Sequence, residues 1–217
     1  MEPALAISEV FKSIEGETSY AGLPCAFVRT MGCNLRCSYC DTEYARDGEG
    51  MGLTVMEICR EVERLGPRLV CITGGEPMVQ AEGVIVLAGR LLEGGRTVLL
   101  ETNGTIDLEP VPDGVVKIMD VKCPRSGEAG KTLLGNLALL RATDEVKFVI
   151  SDRADFDWSA SFVEEHGLAD GPEILFAPAL GRLAGRELAE WIMASGLNVR
   201  LQLQLHKILW PDKTRGV

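Results

Sequence analysis

The sequence predicts an α/β fold, an incomplete parallel β/α barrel, on three observations. From Cys25 onward, short β-branched runs alternate with segments of helical periodicity; polar or glycine-rich motifs follow several of those runs; and 217 residues, 46% hydrophobic, suffice for one core and are short for two. Repeated βα units imply a largely parallel sheet, because each crossover must return the chain to the same end. The loops leaving the strands' C-terminal ends then share one mouth, where barrels of this kind build their sites. The reading is of one domain, 1–217, with its core at about 25–205, an N-terminal edge strand and a short C-terminal tail.

Taken in order, Leu5 to Phe11 reads as the edge strand and 25–30 as the first core strand. Asp47 to Gly52 is glycine-rich and reads as a flexible loop. Thr54 and Glu57 form a capping box, and Val55, Ile58, Val62 and Leu65 then fall on one helical face, with Gly66-Pro67 ending the helix. Strands follow at 69–73, 97–102, 115–121, 145–150 and 173–178, with a last one at 198–205. Helices fit at about 81–93, 131–142, 156–166 and 185–195, the last turning Leu188, Trp191 and Ile192 inward. The tail from Pro211 to Val217 is polar and reads as loose.

A net charge of -10 argues against a nucleic-acid partner, which normally meets a basic face, and favours a small-molecule substrate. There is no signal peptide and no apolar run long enough for a membrane span. Seven cysteines, an odd number, are unlike a secreted disulfide framework, so a reducing cytoplasmic setting is expected. Cys25, Cys59, Cys71 and Cys123 fall in apolar stretches and read as small core hydrophobes.

Cys33, Cys37 and Cys40 are different: they lie close together in the polar loop after the first core strand. Three thiolates on a 4Fe-4S cluster leave one iron without a protein ligand, free to bind and activate a small molecule. A structural zinc site would need a fourth ligand, usually from a second cysteine pair or histidines; no second pair exists, and the two histidines are the distant His166 and His206. The C-x3-C-x2-C spacing, with aromatic Tyr39 before the last cysteine, resembles the radical S-adenosylmethionine (SAM) enzymes, in which the open iron chelates SAM. If so, other motifs should also follow strands, and they do: Thr73-Gly74-Gly75-Glu76-Pro77, Glu101-Thr102-Asn103-Gly104 and Asp120-Val121-Lys122-Cys123-Pro124. Gly74 and Gly75 would bare a backbone edge for the amino group of SAM's methionine, or simply form a strand-to-helix turn with Pro77. Glu101, Thr102 and Asn103 offer partners for ribose hydroxyls, or a capped turn at Gly104. Asp120 and Lys122 could serve the site, Lys122 by holding a carboxylate with its ammonium group, or be an ordinary ion pair.

Together these motifs resemble the 7-carboxy-7-deazaguanine synthase family, which acts on the route to queuosine and other 7-deazapurines. The likeness runs from Phe11-Lys12-Ser13-Ile14-Glu15-Gly16-Glu17 through Phe27-Val28-Arg29, Cys40-Asp41-Thr42 and the motifs above to Gln204-Leu205-His206. It implies a lyase that contracts the ring of 6-carboxy-5,6,7,8-tetrahydropterin to 7-carboxy-7-deazaguanine with loss of ammonia, SAM being regenerated as a cofactor. It further implies Mg2+ at the Thr42 hydroxyl, SAM contacts from Tyr39, Gly74, Gly75, Glu76, Glu101, Asn103, Asp120 and Lys122, and substrate contacts from Glu15, Glu17, Arg29, Thr73, Gly75 and His206. An electron donor such as flavodoxin or ferredoxin and a homodimer are implied in the same way. The chain departs from the family's usual pattern at Glu15, where glutamine is common, and at Thr18, where a glycine often stands and threonine stiffens the loop. The competing readings are another small radical SAM enzyme, such as a glycyl-radical activase, and a non-catalytic metal-binding module.

Overall fold

A computed structural model describes residues 3–217. They form one nine-stranded sheet with helices outside it. The parallel strands are β2 (Pro24–Thr30), β4 (Leu69–Gly74), β5 (Thr97–Thr102), β6 (Val116–Asp120), β7 (Glu145–Ile150), β8 (Glu173–Pro178) and β9 (Arg200–Leu201), in chain order across the sheet. Two strands, β1 (Ala4–Ile14) and β3 (Met51–Thr54), extend the β2 edge antiparallel, so the sheet curves without closing. The crossovers carry α1 (Val55–Leu65), α2 (Ala81–Glu93), α3 (Arg153–Glu165) and α4 (Gly185–Ser195).

The predicted capping box is present: Thr54 Oγ accepts from the Glu57 N–H, and the Glu57 carboxylate accepts from the Thr54 N–H at 2.8 Å. Gly66 closes α1 in a left-handed conformation, φ +91°. Side chains alternate across the parallel strands as a period of two requires. Ala26, Val28, Val70, Ile72, Val98 and Leu100 face the helices, while Cys25, Phe27, Cys71, Leu99 and Ile118 pack on the inner face. Leu188 is fully buried, with Trp191 and Ile192 partly so, as periodicity indicates.

Four expectations are corrected. The N-terminal strand is longer than 5–11 and is not the edge, because residues 51–54, the first two of them from the expected loop, pair outside it as β3. The helix expected at 131–142 is a 3-10 segment, Leu134–Leu139. There Gly135 weakens a helix, and buried Asn136 instead spends its amide on the Gly104 and Ile106 carbonyls and accepts from the Leu108 N–H. The strand at 198–205 shrinks to Arg200–Leu201: its alternation is real, but after the Gln202 N–H reaches Phe176 O the chain turns inward into a short helix, α5 (Leu205–Leu209). The 156–166 helix starts earlier, at Arg153, where Asp152 caps the Asp155 N–H.

Residues 15–22, joining β1 to β2, tie the open seam of the sheet together. Gly16 O accepts from the Leu205 N–H, Ser19 bonds to Glu145 at the start of β7, and Glu17 pairs with Lys147. Thr18 is buried at φ +64°, a left-handed conformation costly for a β-branched residue, and its Oγ accepts from the Tyr20 N–H. Among the described residues no helix is long and apolar enough to cross a membrane.

Candidate active site

β2, β4, β5 and β6 run from apolar to polar along their inner faces, whereas β7 carries Glu145, Lys147 and Val149 there. Above Cys25, Phe27, Cys71, Leu99 and Ile118 stand Arg29, Thr73, Glu101, Asp120 and Lys147, around one cavity at the strands' C-terminal mouth. Register places Arg29 beside Thr73 and Asp120 beside Lys147. The Thr73 hydroxyl donates to Glu101 at 2.7 Å, and Asp120 pairs with Lys122 at 2.8 Å. Burial alone would lower the Lys122 pKa, but Asp120 and the Cys37 sulfur raise it, keeping the ammonium charged.

Cys33, Cys37 and Cys40 line the same cavity, in a loop that the rest of the chain holds in shape. The Ser38 N–H donates to Ser126 O at 2.9 Å, the Arg36 N–H to Glu128, and Arg182 to Ser38 O while lying over the Tyr39 ring. Burial raises the Cys33 thiol, and it pushes Cys37 up to about 11, with Cys33 and Cys40 adding to that shift. Thiolates so placed therefore need a metal to displace their protons. Among the described residues no three histidine, cysteine or acidic side chains converge on a single ion. Cys33, Cys37 and Cys40 all border the one cavity, where each could ligate a separate iron of a single cluster. Asp120 Oδ1 and the Tyr39 hydroxyl are buried at this end of the cavity and, among the described residues, lack hydrogen-bond partners. The donor set fits a three-thiolate cluster with a polar ligand beside it.

Gly74 and Gly75 line the cavity, but their missing side chains serve the protein first. A Cβ on Gly74, at φ +150°, would overlap Thr30, and one on Gly75 would overlap Gly32 O. That close approach lets the Glu76 N–H donate to Gly32 O at 2.7 Å, locking the cysteine loop onto β4. Glu76 corrects an expectation: it is fully buried and outside the cavity lining. Its carboxylate accepts from the Met78 and Asn103 N–H groups and the Thr102 hydroxyl, so it positions the loops instead of reaching a ligand. Asn103 does border the cavity, bonding Asn34 beside the cysteines at 2.9 Å.

The other wall carries Glu15, Glu17, Arg29 and His206. Burial opposes the Glu17 charge, but Lys147 at 2.8 Å and Gln204 at 2.9 Å outweigh it and bring the pKa to about 2. Burial lowers the His206 pKa, favouring a neutral imidazole despite nearby Glu17. Arg29 Nε is engaged by Glu9 at 2.9 Å, and Glu9 also accepts from the Tyr44 hydroxyl. Thr42 borders the cavity, and although it stands at an N-cap its hydroxyl, among the described residues, makes no capping bond. Sequence reasoning missed Lys147, Gln204 as a side chain, Tyr44 and Arg182. Lys147 left a signal, a charge inside the buried run 146–150, but Lys117 in β6 left the same one and faces outward to Asp144.

The Radical SAM superfamily model matches residues 27–121. The 7-carboxy-7-deazaguanine synthase of Koribacter versatilis is 44% identical over 98% of this chain and 100% of its own, and that of Chlorobaculum tepidum is 42% identical over 100% and 99%. The chain belongs to the 7-carboxy-7-deazaguanine synthase family. A crystal structure of QueE from Escherichia coli shares the fold, with a TM-score of 0.77 over 94% of this chain and 95% of that one at 22% identity. Family membership separates this chain from the glycyl-radical activases and from non-catalytic metal modules, which shared the cysteine reading but not the Glu-Gly-Glu and Gln-Leu-His ends.

Proposed function

We propose that the cavity contracts the ring of 6-carboxy-5,6,7,8-tetrahydropterin to 7-carboxy-7-deazaguanine, with nitrogen leaving as ammonia, and that residues 1–217 act as one domain. The observation that carries this reading is the meeting of two motif sets on one cavity: the cysteine trio with Gly74, Gly75, Glu101 and Asn103, and the Glu17, Arg29 and His206 wall. Cys33, Cys37 and Cys40 would hold the 4Fe-4S cluster, which with SAM supplies a 5′-deoxyadenosyl radical able to take hydrogen from a substrate carbon.

The remaining work falls to the chain. The Gly74-Gly75 edge, Glu101 and Asn103 would hold SAM's amino and ribose groups, with Lys122 near its carboxylate and Tyr39 backing the cysteine loop. Ionised Glu17 accepts from guanidine-like N–H groups, neutral His206 donates or accepts, and Arg29 meets the substrate carboxylate through its terminal nitrogens. Mg2+ would bind the Thr42 hydroxyl and the substrate, an arrangement magnesium tolerates because it keeps several waters and borrows substrate oxygens. The Thr42 hydroxyl, which makes no capping bond and meets the Cys40 sulfur at 3.9 Å, supports that role. A flavodoxin or ferredoxin reductant, a homodimer and a cytoplasmic setting complete the reading and rest on the resemblance.

The test is direct. Reduced, anaerobically reconstituted protein receives SAM, magnesium and the carboxytetrahydropterin, and mass spectrometry looks for the deazaguanine acid. SAM cleavage without that product would remove the substrate assignment and keep the superfamily.

A further inference from the structure

The first strand of the sheet changes face in its middle. With a period of two, Leu5, Ile7, Glu9 and Phe11 would share one side of β1. They do not: Leu5 and Ile7 are buried against the helices, whereas Phe11 packs on the inner face and stacks on Phe27 with ring centroids 5.0 Å apart. The register explains the change. Ile7 pairs with Thr30 and Glu9 with Arg29, so two steps along β1 meet one step along β2, a β-bulge with Ser8 as the extra residue. The bulge turns Glu9 from the helix side to the inner side, directly opposite the arginine that lines the cavity. Unbroken alternation would leave that carboxylate on the apolar side with Leu5 and Ile7.

Once turned inward, Glu9 is held by both oxygens. Oε1 accepts from Arg29 Nε at 2.9 Å and from the Tyr44 hydroxyl at 2.8 Å, and Oε2 accepts from the Gly216 N–H at 3.1 Å. These partners come from β2, from the short turn after the cysteine loop and from the tail, so three separate segments fix one carboxylate. Glu9 itself is outside the cavity lining. Arg29 is constrained from a second side by the Phe11 ring, whose centroid lies 5.7 Å from the guanidinium carbon. Among the described residues the bond from Nε to Glu9 is the one side-chain hydrogen bond that Arg29 makes. With Nε taken, a ligand in the cavity meets the end-on edge of the guanidinium, whose two terminal nitrogens match the two oxygens of a carboxylate. We propose that Glu9 is the positioning residue of Arg29: from behind the cavity wall it closes the side-on edge of the guanidinium, aims the end-on edge at the ligand, and so sets the preference of the site for a carboxylated heterocycle. The proposal rests on the pterin reading above and deepens it. Glu9 acts through the arginine and not on the substrate.

The test compares two ligands on reconstituted, SAM-loaded and unreduced protein, so that binding is read without turnover. One is 6-carboxy-5,6,7,8-tetrahydropterin, and the other is 5,6,7,8-tetrahydropterin, which lacks the carboxylate. Their dissociation constants, measured anaerobically by calorimetry with magnesium present, give the preference for the acid. Arg29→Ala should remove most of it. Glu9→Ala should lower it about tenfold, the size of one charge-assisted hydrogen bond set out of line, by weakening the acid alone. The constants for the uncharged ligand and for SAM, and the iron and sulfide content, should stay as in wild type. Removing an anion beside Arg29 would by itself tighten the acid, so a weakened acid separates aim from charge. In the Arg29→Ala background the same substitution should change nothing further. Should Glu9→Ala fail to fold, Glu9→Asp keeps the charge, withdraws it by one methylene, and should lower the preference in the same direction. An unchanged or increased preference, an equal weakening of both ligands, or a further loss without the arginine overturns the positioning role. Equal binding of both ligands by wild type would instead sink the pterin-acid reading on which the proposal stands.

Discussion

Gly16 has no room for a methyl group, because a Cβ there would overlap His206 Nδ1 and crowd the His206 backbone N–H. The glycine therefore sets where the imidazole stands, and a displacement near 1 Å in a reacting site costs on the order of a hundredfold in rate. Gly16→Ala should lose about that much turnover while keeping its iron and sulfide; retained turnover would mean that His206 is not at the substrate. Thr42 is argued on the same scale. Its hydroxyl is free of capping duty, so Thr42→Ala should raise the magnesium needed for half-maximal turnover about tenfold and leave cluster content intact. An identical magnesium response would reject the role. These roles were only partly legible beforehand. Spacing alone identified the cysteines, whereas Glu15, Glu17 and His206 taken singly look like surface charges and a strand-end histidine.

At the level of elements, two contacts join segments that the sequence keeps far apart. Glu76 ties the loop after β4 to the end of β5 through hydrogen bonds accepted from the Thr102 hydroxyl and the Asn103 N–H, and accepts a third from the Met78 N–H in its own segment. Glu76→Ala would leave buried N–H groups unpaired and should cost about 3 kcal/mol in chemical denaturation, with faster amide exchange at Met78 and Asn103. Exchange unchanged at both sites would show that the loops stand without it. Lys147 ties β7 to the seam loop through Glu17 and to β6 through Asp120. Glu17's folded pKa is depressed to about 2, so its stabilisation is present above the ordinary carboxylate value and is lost as pH falls through about 2. Lys147→Gln should then cost about 3 kcal/mol near pH 7, with the gap to wild type closing on acidification. A gap constant with pH would assign Lys147 a packing role instead. Strands and most helices were legible because period two and period 3.6 leave direct marks in sequence. The 131–142 and 198–205 errors arose where a single buried amide, Asn136, and an inward turn toward Gly16 overrode good local periodicity.

Over the whole molecule, the core does not depend on the metal site. The two buried clusters that sandwich the sheet contain none of Cys33, Cys37 and Cys40, and the cysteine loop is held by Ser126, Glu128 and Arg182. A triple cysteine-to-alanine protein should keep its far-ultraviolet circular dichroism and melt within about 4 °C of metal-free wild type, roughly 1 kcal/mol at this size, while losing all iron-sulfur absorbance. Collapse of the fold would show that the cluster is structural. The sequence by itself determined the parallel βα order, the open-iron cysteine trio and the motifs that follow strands, because periodicity and ligand spacing are local properties carried by a few neighbouring residues. Tertiary structure alone decided which side chains meet: that Lys147 faces inward and Lys117 outward, that Glu76 props loops while Glu15 borders the cavity, and that the seam loop reaches α5. Those outcomes depend on sheet curvature and on burial shared between distant segments, and burial weighed against the partners it brings sets the charge of a carboxyl group.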